Sequence, residues 1–295
     1  MMRKPASINK FGLFDIFNYA LMILLGILFI YPFWQVVVVS LSNATGANTL
    51  GPKLVPVGFN LDSYKEVFSN NLVYVSYFNT LRRTLIGTGL TIVVTYLGAY
   101  VLSKKNLPFR NFFTLMILFT MFFSGGLIPH YLLVQSLGLI DSYWSLVLPT
   151  LTSAWYIIIM RNFISQIPDT LEEAAAMDGA KPIRIAFQIV LPICKPIIAV
   201  VALWSAVYHW NAWFDAMIYV PSRMNVVLQL MLRKILIDQS PDYLSSSMLM
   251  QTTVTTAPET VKAATIIVSI LPILAAYPFL QKYFIKGIMI GSLKG

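Results

Sequence analysis

The chain has 295 residues, of which 57% are apolar and only 11% are Asp, Glu, Lys or Arg. Soluble domains carry about 25% charged residues, so composition excludes an ordinary soluble protein. In so apolar a chain the net charge of +9 reads as a signal of membrane orientation rather than of nucleic-acid binding. Cys194 is the single cysteine, so there is no intrachain disulfide.

A spanning helix needs roughly 20 mostly apolar residues. Residues 16–52, 84–103, 111–140, 142–160, 196–214 and 263–281 contain no Asp, Glu, Lys or Arg. They predict an all-α integral membrane protein with one transmembrane helix from each run, six in all. The first run is too long for the apolar part of a secretory signal and lacks a small-residue cleavage site, so it reads as a retained helix. Residues 243–258 are also uncharged but too rich in Ser and Thr to span. Lys104, Lys105 and Arg110 crowd the short connection after the second run, whereas residues 134–143 have no Lys or Arg. The positive-inside rule then places both termini in the cytoplasm. Arg82, Arg83, Arg223, Arg233 and Lys234 fall outside.

In chain order, the first outer segment is polar and broken by Gly and Pro up to Gly58. Asn60 is placed to cap a short helix over residues 61–68, with Leu61, Tyr64 and Phe68 on one face. Pro32, Pro129 and Pro149 fall within spans and predict kinks. Gly125-Gly126 makes the third span a flexible point or simply a tolerated bend.

After the fourth span comes a different kind of segment. Thr170-Leu171-Glu172-Glu173 has the form of a capping box, with the Thr170 hydroxyl on the Glu173 amide and the Glu173 carboxylate returning to Thr170. Ala174, Ala175 and Ala176 are strong helix formers, and Met177 and Asp178 follow. Gly179 is placed for a left-handed stop, with Pro182 beyond it. Such a helix has about two turns and is marginal alone in water, so it must dock against something.

Glu173-Ala174-Ala175, Gly179, and Ile189-Val190-Leu191-Pro192 together resemble the signature loop of importer-type ABC permeases, at every fixed position and in the expected place after the fourth span. Gly58-Phe59-Asn60-Leu61-Asp62-Ser63-Tyr64 and the tail Lys286-Gly287-Ile288-Met289-Ile290-Gly291-Ser292-Leu293-Lys294-Gly295 resemble carbohydrate importers of the maltose type, in particular their smaller six-helix permease subunit. The resemblance implies a type I ABC importer permease fold in three parts. Residues 1–74 would hold the N-terminal segment, first helix and outer loop, 75–285 the permease domain, and 286–295 a cytoplasmic tail. It implies a second, homologous permease, two cytoplasmic ATPase subunits and an extracytoplasmic solute-binding protein as partners, in a bacterial inner membrane. Residues Thr170, Leu171, Glu172, Glu173, Ala174, Ala175, Ala176, Met177, Asp178 and Gly179 would form the coupling helix that one ATPase moves. The tail would reach toward the ATPases. ATP and Mg would bind in those subunits; this chain has no phosphate-binding Gly-rich loop ending in Lys-Ser or Lys-Thr, binds no cofactor of its own, and is not an enzyme.

The fifth span carries Trp204, Tyr208, His209, Trp210, Asn211, Trp213, Phe214 and Asp215. Aromatic faces and hydrogen-bonding tips suit a sugar path; Trp and Tyr equally suit a membrane–water belt. Ionisable groups in spans favour the interior or water, which points His209 and Asp215 toward a cavity mouth. His130, the other histidine, stands on another span, so no metal site is expected. Residues 215–262 are long for a plain connection and read as a docking element for an outer partner or as a solvated loop. Residues 255–267 and the tail resemble a subgroup that imports oligosaccharides derived from polysaccharides such as alginate and pectin. Arg82 and Arg83, with the other outer basic residues, would suit a uronate carboxylate or an acidic patch on a binding protein. A secondary transporter or channel would need ionisable residues deep in the spans, and these are nearly absent. A membrane scaffold without transport is the remaining reading.

Overall fold

The computed structural model describes residues 12–47, 49, 51–222, 224–236 and 258–292, with side chains as far as 275. The helices are α1 (Leu13–Ser40), α2 (Ala44–Ala47), α3 (Asp62–Ser69), α4 (Asn71–Ser103), α5 (Arg110–Phe122), α6 (Leu127–Ser136), α7 (Ala154–Ile164) and α8 (Asp169–Met177). They continue with α9 (Pro182–Arg184), a π-turn (Ile185–Val190), α10 (Leu191–Ile193), α11 (Lys195–Asn211), α12 (Phe214–Tyr219), α13 (Leu228–Leu236) and α14 (Pro258–Ser292). Three helices are long and apolar enough to cross a membrane, Leu13–Ser40, Asn71–Ser103 and Pro258–Ala275. Three bent pairs bring the number to six if each is one span: α5 with α6 at 114°, the turns of Tyr143–Thr150 with α7 at 48°, and Pro182–Ile193 with α11 at 78°. Each span overlaps one of the six uncharged runs, although Asn71–Ser103 starts well before its run and Pro182–Ile193 lies outside any. The sharpest bend falls at Gly125-Gly126, where Gly126 has φ +85°.

The chain divides into two units, residues 1–69 with 246–268, and residues 70–245 with 269–295. In the first, α1 has 28 residues, about 42 Å at 1.5 Å per residue. Its apolar side chains are largely exposed, with Phe14, Phe29 and Phe33 among the most open; lipid takes the place that a core takes in a soluble helix. After α1 a small polar knot forms. Buried Lys53 donates from Nζ to the carbonyls of Gly46 and Ala47, both at 2.6 Å, placing a cation on the negative end of α2. The Asn60 side chain accepts from the amide of Asp62 at 3.4 Å, and α3 starts one residue later than the sequence suggests.

The second unit is organised by α4, 33 residues long. Asn70 caps it, accepting from the Leu72 amide at 2.9 Å. The buried residues Val73, Ser76, Thr80, Arg83, Gly87, Thr91, Thr95, Ala99 and Leu102 recur every three or four positions and form one stripe. That stripe is mostly small or polar, as expected where helices rather than lipid meet. It packs against α7, α11 and α13. Near one end, Tyr96, Ala99, Met160, Ile164, Ile185, Val190, Cys194, Ile197 and Val201 form a buried apolar cluster.

Residues 215–236 are more ordered than a solvated loop. Val226, Val227, Leu228, Leu230, Met231 and Ile235 are buried. The Asn79 side-chain amide donates to the carbonyls of Met224 and Val226, at 2.8 and 3.0 Å, and the Leu228 amide donates to the Thr80 hydroxyl at 2.8 Å. The apolar run pulls this part onto α4. Arg223, residues 237–257 and the final three residues of the expected tail lie outside the described residues.

At Gly87 the His209 side chain of α11 packs directly on the α4 backbone. A Cβ there would lie 2.5 Å from Nε2 of His209, which is 1% exposed. Gly89, two residues on, faces open space. Gly87→Ala should therefore lower stability by about 1–3 kcal/mol through overpacking, whereas Gly89→Ala should be neutral or gain about 0.5–1 kcal/mol. Thermal melting of both variants in detergent checks this; equal melting temperatures would mean the seam is not close-packed.

Candidate functional site

The short charged helix is α8. It begins at Asp169, with Pro168 as N-cap at φ −59° and ψ 130°, and no side chain caps it. The expected Thr170 capping box is not formed. Helix geometry begins two residues sooner, with Pro168 rather than Thr170 as N-cap, which puts Thr170 inside the first turn, and the carboxylate in use is that of Glu172. The other end is as expected. Gly179 has φ +81°, the Ala180 amide donates to the Ala175 carbonyl at 2.9 Å, and the Gly179 amide donates to Ala176 at 3.0 Å. This is the Schellman arrangement, and a left-handed residue is required at Gly179.

Ala175 and Ala180 pack against the apolar cluster. Glu173, Ala174, Ala176 and Asp178 face outward, and Met177 and Ile183 are 89% and 74% exposed. One narrow face is docked and the remainder is open. The continuation explains how α8 is held at its far side. The π-turn has a wider hydrogen-bond ladder, and the Tyr96 hydroxyl donates to the Ala186 carbonyl within it at 2.5 Å. Val190 is fully buried, Pro192 lies in the first turn of α10, and the 78° bend comes just after. Ile189-Val190-Leu191-Pro192 thus makes the elbow between α8 and α11.

The N-terminal end of α8 meets the C-terminal end of α4. Lys104, the C-cap of α4, forms an ion pair with Glu172, and its ammonium lies 4.1 Å from the centre of the Tyr100 ring. The Tyr100 hydroxyl donates to Glu172 at 3.4 Å. Lys105 pairs with Asp169 at 2.8 Å. Cations sit at the negative end of one helix and carboxylates at the positive end of the other, so both dipoles favour the contact. The exposed Lys105–Asp169 pair is weak and screened by salt. The Lys105 hydrogen bond holds the Asp169 carboxyl below the ordinary carboxylate range, so this contact is present at neutral pH and lost as pH falls through that lowered value. Beside the pairs opens a cleft of about 500 Å³, lined by Ser103, Lys104, Arg110, Ile164, Asp169 and Glu172 among others.

The residues of the fifth span divide by helical phase. Val201, Ser205 and His209 lie on the buried face of α11, and Trp210 is buried beside them. His209 therefore packs on Gly87 instead of opening into a cavity mouth. Trp210 sits edge-on to Tyr77 with ring centres 5.9 Å apart. Both His209 ring nitrogens and the hydroxyls of Thr84, Thr88, Thr91 and Thr95 are buried without a partner among the described residues, so shape rather than hydrogen bonding holds this part of the seam. Tyr208 and Asn211 are exposed. Trp213 lies under the Arg233 guanidinium at 4.1 Å, and exposed Arg82 lies 3.9 Å over the Tyr143 ring.

Arg83 and Asp215 behave differently from the sequence expectation. Arg83 is fully buried. Its Nη1 donates to Asp215 Oδ1 at 3.1 Å and to the Ala212 carbonyl at 3.4 Å, and its Nη2 pairs with the second carboxylate oxygen. The bidentate pair closes on the break between α11 and α12, where Ala212 is extended. Arg83 is thus committed to a partner within the chain and is not free for a sugar carboxylate. Neither this pair nor Lys104–Glu172 was expected from sequence. For Arg83–Asp215 the one available signal is that each charge stands at the edge of an uncharged run; for Lys104–Glu172 only Lys104 does.

A family model described as "Binding-protein-dependent transport system inner membrane component" matches residues 106–290. The polygalacturonan/rhamnogalacturonan transport system permease protein YtcP of Bacillus subtilis is 38% identical over 97% of this chain and 100% of its own length. Protein LplC of the same organism is 39% identical over 96% of this chain and 95% of its own length. A chain from the crystal structure of a bacterial ABC transporter involved in import of the acidic polysaccharide alginate superimposes with a TM-score of 0.87 at 31% identity, covering 94% of this chain and all of that one. The chain belongs to the family of inner membrane components of binding-protein-dependent transport systems, with the type I permease fold. It is a multi-pass transport subunit.

Asp215→Asn would leave the Arg83 guanidinium buried without a counter-charge, at a cost of about 3–5 kcal/mol. Removing both charges in Arg83→Met with Asp215→Asn should recover much of that loss. Melting temperatures of the two variants test the pair; no loss in the single variant would mean that Arg83 is hydrated in the membrane.

Proposed function

We propose that this chain forms half of the membrane pathway of an ATP-driven oligosaccharide importer, with acidic oligosaccharides cut from polysaccharides as its substrate class. A second, homologous permease supplies the other half. Two cytoplasmic ATPase subunits bind ATP and Mg and carry out the hydrolysis, and an outer solute-binding protein delivers the sugar. Both termini lie in the cytoplasm. The residues from Thr170 to Gly179 form the coupling helix, seated in an ATPase cleft.

One observation carries this reading. Helix α8 has a left-handed stop at Gly179 and one docked alanine face, yet its remaining surface is open, with Met177 89% exposed. So short a helix gains from a partner on that surface. The substrate class is supported by the polygalacturonan and alginate in the names of the two relatives, since both polymers carry carboxylates. Arg82 is the exposed basic residue nearest the Arg83–Asp215 pair in sequence and is suited to a uronate. Tyr208, Asn211 and Trp213 supply ring faces and a side-chain amide to the same path, with His209, Trp210 and Asp215 supporting them from behind.

Gly179→Val should leave membrane insertion intact and abolish ATP-driven uptake, because a β-branched residue is strained at φ +81°. Normal uptake in that variant would remove the coupling assignment. Arg82→Gln should weaken uptake of uronate oligomers while sparing neutral ones in proteoliposomes holding the assembled complex. Equal loss for both sugars would place the acid selectivity in another subunit.

A further inference from the structure

Glu172 and Glu173 are neighbours with different surroundings. Glu173 is exposed and makes no ion pair among the described residues. Glu172 is turned back into the chain, paired with Lys104 and next to the Tyr100 hydroxyl. The apolar contacts of Ala175 and Ala180 are non-directional and let a helix slide. An ion pair with hydrogen bonds is directional and resists sliding. Lys104 ends α4, and the same helix carries Arg83 at its thirteenth residue, counted from Asn71. Between them lie about 21 residues of unbroken helix, roughly 32 Å at 1.5 Å per residue. At that second point Arg83 grips Asp215 and the Ala212 carbonyl, at the break between α11 and α12.

We propose that α4 is a rod clamped at two points, its C-terminal end and Arg83, and that Lys104 and Glu172 are positioning residues that transmit movement of α8 along it to the α11–α12 break. The proposal rests on the coupling-helix reading of α8 and assigns the two acidic residues different work: Glu173 faces the ATPase, and Glu172 holds the chain's own α4. Two discrete arrangements of a rigid element, both biased by its ends, are what such coupling requires.

The test uses the complete transporter in proteoliposomes and reads three quantities: copurification of the ATPase, sugar taken up per ATP hydrolysed, and ATP-dependent thiol labelling of Met217→Cys, exposed on α12, in a Cys194→Ala background. Lys104→Ala and Glu172→Gln should each retain the ATPase, lower uptake per ATP by about tenfold, in the usual range of allosteric coupling, and abolish the ATP-dependent change in labelling. Lys104→Arg, which keeps the cation, and the exchange of Lys104→Glu with Glu172→Lys should restore both signals. Loss of the ATPase from the Glu172→Gln complex would overturn the proposal, because Glu172 would then be a partner contact. Unchanged uptake per ATP in both single variants would overturn it as well, as would an assembled exchange variant that stays uncoupled. Failure of the unmodified chain to copurify with any ATPase would instead refute the coupling-helix reading itself.

Discussion

A hydrocarbon solvent offers no hydrogen-bond partner, and the arrangement of α4 follows from that constraint. Ser76, Asn79, Thr80 and Arg83 cannot be left to lipid, and the packing gives each a partner within residues 212–231. The apolar residues that would form the core of a soluble protein are left on the outside of α1 and α5. Arg83 is the extreme case. A guanidinium in that position survives because Asp215 and the carbonyl at a helix break meet it with matched geometry. The need to satisfy one charge therefore fixes where α11 ends and how α12 starts.

The same economy of polar groups governs the α8 end. Helix α8 is too short to persist by propensity alone. Its stop at Gly179, its alanine contacts with the apolar cluster, and the pairing of its first turn with the end of α4 hold it. None of these contacts is large. Together they present a defined outer surface while leaving most of it uncovered, as the proposed coupling role needs.

The aromatic residues of the fifth span illustrate a separation that composition conceals. A rotation of one position along a helix moves a side chain by about 100°. Tyr208 is open while His209 is sealed against Gly87, and Trp210 joins the packed side while Asn211 is exposed. Polar character therefore does not by itself identify a path-lining group. His209 serves the seam between two helices, and Asp215 serves Arg83.

Several features were legible from residues alone because they are local. The spans follow from uncharged runs, the sharp bend from Gly125-Gly126, the stop of α8 from Gly179, and the signature from spacing between residues 173 and 192. The capping box at Thr170 was misread because Ser, Thr and Glu in the right order do not fix which residue enters the helix first; Pro168 did. The helical packing of residues 228–236 could have been read from their apolar run but was obscured by the length of the segment around it. The two ion pairs depended on tertiary structure. Lys104 and Glu172 are 68 positions apart and Arg83 and Asp215 are 132 apart, and only the packing of separate spans brings their charges together. Sequence determined what crosses the membrane and what kind of machine it belongs to; the fold decided which charges are spent inside the chain and which are left for partners, because burial and pairing are properties of neighbours in space.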